Sequence, residues 1–255
     1  MPASEPHGPC RALWVGRALR PVVRPEGGDP GDDLTQVGHA AIENNLVGGT
    51  ETGDDRFGDS RTHRDYTTVE QGAGMNQQPT GERSEVCRTL AESWGYDTRE
   101  ADYVLRTTGE LVHLLVNSVA ANANLLLNIG PRDDGTIPKA MRERLLDIGA
   151  WLKVNGEAIY GTRPWPQPAV GNLRCTVSRL TGATYLTAMS WPGTELVVDA
   201  GIPTTSRTQI SLLGSDGRPL TWRRQGSHLV ITTPAPTPTR ATAGEHAYVF
   251  RIDNR

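Results

Sequence analysis

Aromatic side chains are scarce in this chain: 255 residues hold six Trp, six Tyr and two Phe. Hydrophobic residues make up only 36%, low for a globular protein, while Gly (28) and Pro (18) are plentiful. That mixture fits a folded part diluted by loops or by a poorly structured segment. Cysteine is also sparse. Cys10, Cys87 and Cys175 lie far apart, form no CxxC and stand in no Cys/His cluster. The pattern argues against a zinc site, and the odd count against a disulfide framework, which leaves three ordinary thiols and no expected metal or cofactor. No charge of one sign dominates. The balance is 26 basic against 29 acidic residues, net −3, which favours neither nucleic acid nor a membrane surface. No apolar run approaches the roughly 20 residues of a membrane helix. The first 33 residues carry no apolar stretch followed by a cleavage site, so they do not read as a signal peptide.

What is present is unevenly distributed. Residues 1–36 are rich in Pro, Gly and Arg without a period of 2 or 3.6, and read as irregular or disordered. Residues 37–83 read as loop with one or two strands. From Glu85 onward the pattern becomes legible. EVCRTLAESW spaces its apolar residues as a helix would, ending near Gly95. Thr107 and Glu110 form a capping-box pair ahead of Leu111, Leu114, Leu115 and Val119 on one helical face. NLLLNIGP, Asn124 to Pro131, is a short apolar run of the kind buried on both faces of a parallel sheet. After the DDGTIP turn, with Pro138 at the helix start, a second helix lines up Met141, Leu145, Ile148 and Leu152, and Gly156 is placed to stop it. Helix, buried strand and helix in series are what the end of an α/β barrel or open α/β sheet looks like. After Trp165 the style changes to short strands separated by turns such as SDGRP and QGS, as in a small antiparallel β-sandwich. The expected organisation is an irregular segment 1–36, an α/β part 37–165 and a β-sandwich 166–255.

LLLNIGPRDDGTIP followed by RLLDIGAWLKVNGEAIYGTRPW closely resembles the end of the catalytic domain of family 29 α-L-fucosidases. DDRFG (54–58), HRDYTTVE (63–70) and ESWGYD (92–97) resemble the preceding blocks of that family, in the same order. The tail to Ile252 resembles its C-terminal β-sandwich. The resemblance covers about residues 54–252. It implies an irregular (β/α)8 barrel followed by a sandwich, and retaining hydrolysis of terminal α-L-fucosides on glycans or glycoconjugates. It also implies an Asp nucleophile paired with a Glu general acid/base.

Carried onto this chain, the resemblance puts Glu70 of HRDYTTVE in the acid/base position. Such a carboxyl must protonate the leaving oxygen and then deprotonate water. Arg56 of DDRFG matches an arginine that contacts the sugar near the nucleophile, and its forked donors suit hydroxyls. Trp94 stands where the family usually has Phe, in the wall of the pocket for the sugar's C6 methyl. His63 and Asp65 match motif positions. A His there can hold a neighbouring loop by hydrogen bonds, and Asp65 reads as a scaffold residue. There are departures. Asp54 replaces the usual Asn, Ser84-Glu85 replaces a Trp-Glu pair, and Asn122-Ala123-Asn124 replaces Gly-Gly-Asn. The last puts Ala123 where a glycine could adopt an unusual backbone angle.

The second carboxylate is harder to place. A retaining pair stands about 5–5.5 Å apart, and the family nucleophile follows an apolar strand upstream of the DDRFG-type block. Here that region reads RPEGGDPGDDLTQVG. Asp29, Asp32 and Asp33 occur in it with no apolar strand before them, so no nucleophile is identified. A full barrel takes about 200–250 residues, more than residues 1–165 supply. The expectation is the C-terminal half of a fucosidase behind an unrelated N-terminus, weakly active or inactive by itself. A different class of function, a carbohydrate-binding or interaction module, would use Trp191 and Trp222 of the sandwich as stacking faces. The family is often secreted or lysosomal, and neither those compartments nor the cytoplasm is indicated by this sequence.

Overall fold

The computed structural model of the chain describes residues 67–69 (backbone only), 84–98, 105–235 and 246–254. Its α/β part is built on a three-stranded parallel sheet in the order β1 (Thr67–Val69), β2 (Ser84–Thr89), β3 (Ala123–Asn128). β2 pairs in register with β1, from Thr67–Ser84 to Val69–Val86, and with β3, from Ser84–Ala123 to Thr89–Asn128. NLLLN is thus the parallel strand its apolar run predicts. SEVCRT is a correction, because it forms a strand where its spacing predicts a helix. Strand β2 lies between two neighbours, and every residue in it but Val86 is buried. Burial on both faces erases the period of 2 that marks a strand. Its polar members Glu85 and Arg88 also interrupt the apolar run that would replace that signal. The Arg88 guanidinium bends back to donate to the Cys87 carbonyl at 2.9 Å.

Helix α1 (Thr108–Ala120) starts on the expected capping box. The Glu110 amide donates to the Thr107 hydroxyl at 3.2 Å, and the Thr107 amide donates to the Glu110 carboxylate at 2.8 Å. Leu111, Leu115 and Val119 are buried, with Leu114 packed at the margin. The chain then turns into β3 through a left-handed residue, but that residue is Asn122 (φ 63°), while Ala123 is already extended strand. Asparagine tolerates this conformation better than alanine, so the departure from Gly-Gly-Asn leaves the strand start intact.

Helix α2 (Lys139–Asn155) follows Pro138 and buries Met141, Leu145, Ile148, Trp151 and Leu152. Gly156 does end this helix, for a different reason than a left-handed stop. Its φ is −61°, and the chain continues into a 3-10 turn, Gly156–Ala158. A Cβ on Gly156 would lie 2.5 Å from the Tyr160 ring. The residue is required for space.

The sandwich has a five-stranded antiparallel sheet in the order β4-β5-β6-β11-β8 and a three-stranded one in the order β7-β10-β9. The strands are β4 (Thr162–Val170), β5 (Leu173–Ser178), β6 (Thr184–Ala188), β7 (Glu195–Val198), β8 (Gln209–Leu212), β9 (Trp222–Gln225), β10 (His228–Thr232) and β11 (Tyr248–Asp253). Seven of these correspond to runs visible in the sequence. β4 does not, because it carries Pro164, Pro166 and Pro168. Proline cannot donate to a ladder, and β4 stands at the sheet edge, where that lack is tolerated. Its pairing with β5 slips between Pro164 and Ala169.

Two cores flank the five-stranded sheet. One face, with Leu173, Cys175, Leu186, Ile210, Phe250 and Ile252, packs on Leu196, Val198, Leu229 and Ile231 of the smaller sheet. The other face, with Ala183, Tyr185, Met189 and Val249, packs on α1, α2 and β3. Central strand β6 is therefore buried at every position. Trp151, fully buried in α2, donates from its indole to the Ala247 carbonyl at 3.0 Å. His113 of α1 lies 2.6 Å from the His246 carbonyl, and Arg174 donates to Asn117 at 2.6 Å. The α/β part and the sandwich thus share a core and a set of directional bonds.

Candidate functional site

Because β1, β2 and β3 are parallel, their carboxyl ends at Val69, Thr89 and Asn128 lie along one edge of the sheet. In barrel folds this edge carries the chemistry, because each strand delivers its following loop there. Two such loops are described. The loop after β2 leaves through Leu90, whose amide continues the ladder to the Asn128 carbonyl at 3.1 Å. It then presents Trp94 and Tyr96, 45% and 42% exposed, two of the few large apolar side chains that are exposed among the described residues. The loop after β3 is IGPRDDGTIP, residues 129–138.

The two loops are joined. The Asn128 side-chain amide donates to the Trp94 carbonyl at 2.7 Å. Gly130 lies against the backbone of the other loop, where a Cβ would stand 2.7 Å from the Gly95 carbonyl and from the Tyr96 nitrogen. The Arg132 guanidinium sits over the Tyr96 ring, 5.6 Å from its centroid. The Ser93 hydroxyl donates to the Gly95 carbonyl at 2.8 Å. An exposed indole is thus held on a braced loop. An exposed aromatic face at this edge can contact the apolar side of a sugar.

Of the residues singled out from sequence, Trp94 is the one the structure places, and it is at this edge. Glu70, Arg56, His63 and Asp65 lie outside the described residues. Glu70 follows Val69, the last residue of β1, directly in the sequence. Glu85 is buried in the amino-terminal half of β2, opposite Asn124, and accepts from the Cys87 thiol at 3.8 Å. Sequence reasoning missed Asn128 and Gly130 as supports of the Trp94 loop. A polar residue and a glycine directly after an apolar parallel strand are the signal that could have found them.

The sandwich tryptophans are engaged in packing. Trp191 meets Tyr248 edge-on, with centroids 4.9 Å apart and planes at 76°, and both lie on the inner core. Trp222 packs on the same core and donates to the Thr208 carbonyl at 3.2 Å. Both tryptophans are half-buried, as core-margin residues are.

With this geometry in place, likeness to known proteins is informative. Residues 33–157 match the family model described as α-L-fucosidase, and residues 169–253 match that of the α-L-fucosidase C-terminal domain. The first match reaches upstream of DDRFG. Tissue α-L-fucosidase of Mus musculus is 34% identical over 170 residues, covering 66% of this chain and 37% of the mouse protein. Plasma α-L-fucosidase of Rattus norvegicus is 42% identical over 162 residues, covering 59% and 34%. The crystal structure of Thermotoga maritima α-fucosidase in complex with fucose aligns with a TM-score of 0.62 at 28% identity, over 78% of this chain and 44% of that one. The chain spans a little over a third of the length of the curated relatives it matches. Taken together, the two family matches, the relatives and the shared partial barrel with its sandwich show that this chain belongs to the α-L-fucosidase family.

Proposed function

We propose that this chain carries the acid/base half of a retaining α-L-fucosidase site, acting on terminal α-L-fucosides of glycans or glycoconjugates. The observation that supports this most is the carboxyl edge of the parallel sheet. There β1 ends one residue before Glu70, and β2 and β3 hold an exposed Trp94 between joined loops.

In this reading Glu70 donates its proton to the glycosidic oxygen as the C1–O bond breaks. In the second half-reaction it takes a proton from the water that attacks C1. Arg56 offers its forked N–H groups to sugar hydroxyls and places positive charge near the carboxylates. The Trp94 indole forms an apolar wall suited to a 6-methyl group and unfavourable to a 6-hydroxyl. His63 steadies the neighbouring loop. The nucleophile must attack C1 from the opposite side and stay rigid while doing so. None of Asp29, Asp32 and Asp33 stands after a strand-like run, so these residues alone are expected to turn over α-L-fucosides slowly or not at all.

The test is a chimera. Residues 54–255 replace the matching part of the Thermotoga maritima α-fucosidase, whose own remaining residues are kept. An active chimera should lose about 10²–10⁴-fold in kcat on Glu70→Ala, with azide restoring turnover of an activated aryl fucoside. An active chimera indifferent to Glu70→Ala would overturn the assignment.

A further inference from the structure

Away from the carboxyl edge, the sandwich carries a cavity of about 620 Å³ lined by Glu157, Arg207, Gln209, Ser211, Leu213, Arg251 and Asp253. Its floor is set by strand register. Arg251 of β11 stands between Tyr185 of β6 and Ser211 of β8, and Asp253 stands opposite Gln209. Alternation along β11 puts Arg251 and Asp253 on the same face as Val249, which packs toward the helices. Glu157, just beyond the end of α2, forms one wall of the cavity.

The floor is held rigidly. The Arg251 guanidinium donates to Glu157 at 2.9 Å and to Asp253 at 3.0 Å, and the Tyr185 hydroxyl reaches Glu157 at 3.4 Å. Arg207 and Gln209 stand exposed at the mouth. Two carboxylates thus face two guanidinium groups, with an amide, a hydroxyl and one apolar side chain between them. A free anion entering here meets Glu157 and Asp253. A cation meets Arg207 and Arg251. An apolar ligand would desolvate both ion pairs without replacing their hydrogen bonds. A neutral molecule dense in hydroxyls meets none of these penalties. Each hydroxyl can donate to a carboxylate oxygen and accept from a guanidinium or amide N–H, while Leu213 covers a C–H face.

The geometry points to a second carbohydrate site, one that takes an uncharged mono- or disaccharide unit. The cavity is of the size such ligands occupy, about 300–1,000 Å³. It is remote from the proposed catalytic edge. Helix α2 begins after the loop that follows β3 at that edge and extends for 17 residues, about 25 Å, before the chain reaches Glu157. The site does not depend on Glu70 and would serve to hold a glycan on the enzyme.

The experiment is a titration of the full chain, followed by amide and side-chain NMR, with methyl β-D-galactoside, lactose and methyl α-L-fucoside, and with sodium sulfate as an anion control. At least one sugar should give saturable shifts centred on Ser211, Arg251 and Asp253, while sulfate gives none there. Arg207→Ala combined with Gln209→Ala removes exposed residues only, so the spectrum elsewhere should stay unchanged while sugar affinity falls at least about tenfold. Ser211→Ala should weaken it in the same direction. Three results would each overturn the proposal. One is no saturable shift with any of the sugars. Another is sugar shifts that survive the double substitution. The third is sulfate shifting these residues where the sugars do not.

Discussion

The side-chain amide of Asn128 donates to the backbone carbonyl of Trp94 at 2.7 Å and thereby ties the end of β3 to the loop after β2. Gly130 closes the same contact from the other side. Asn128→Ala should therefore loosen a loop in which Asn128 is not a member. Amide exchange at residues 92–97 should accelerate, and acrylamide should quench Trp94 more readily, with a stability loss of about 1 kcal/mol. Unchanged exchange over 92–97 would show that the loop is held by other contacts.

Much of this architecture was readable before the structure, and the exceptions have identifiable causes. The α1 cap was legible because Thr107 and Glu110 act on each other over three residues of sequence. β3 was legible because an unbroken apolar run has few alternatives. β2 was misread because Glu85 and Arg88 are polar residues inside a strand buried on both faces. β4 was hidden by three prolines that only an edge position accommodates. Trp94 was singled out through its motif. Its two supports were not, since the contact between residues 94 and 128 exists only once the parallel strands bring their ends together.

The capping box gives a pH-dependent prediction. The Thr107 amide, and then its hydroxyl, bond the Glu110 carboxylate and hold its pKa below the ordinary 4.5. A carboxyl whose folded pKa is depressed stabilises the fold above its unfolded pKa, and that stability fades as pH falls through the folded value. Glu110→Ala should cost about 1 kcal/mol at neutral pH. The difference from the unsubstituted chain should shrink on acidification below pH 4.5, as read by urea unfolding. A difference that is constant or grows in acid would contradict this.

Gly156 is a matter of space, and that can be distinguished from a conformational requirement. Its φ of −61° is open to any residue, but a Cβ would meet the Tyr160 ring at 2.5 Å. Gly156→Ala should destabilise by about 1–3 kcal/mol. Most of that loss should vanish in a Tyr160→Ala background, a coupling that a double-mutant cycle measures directly. An equal cost in both backgrounds would point to the backbone.

Cys175 is fully buried in the sandwich, and burial pushes its thiol up to about 12. The thiolate is the reactive form, so native Cys175 should resist iodoacetamide at pH 8 and label fully once the chain is unfolded. Peptide mapping by mass spectrometry reads the site. Rapid native labelling at Cys175 would mean that the sandwich opens far more readily than its core implies.

The most direct test of the central claim, that these residues hold one carboxylate of a retaining pair, is hydrolysis of an aryl α-L-fucoside by the 255-residue chain and by its Glu70→Ala form. The account predicts little or no turnover by either, with fucoside hydrolysis gained only when residues 54–255 are joined to a barrel that supplies the nucleophile. Clear turnover by the chain alone, abolished by Glu70→Ala, would show that a nucleophile resides in it after all, with Asp29, Asp32 and Asp33 the first to be replaced.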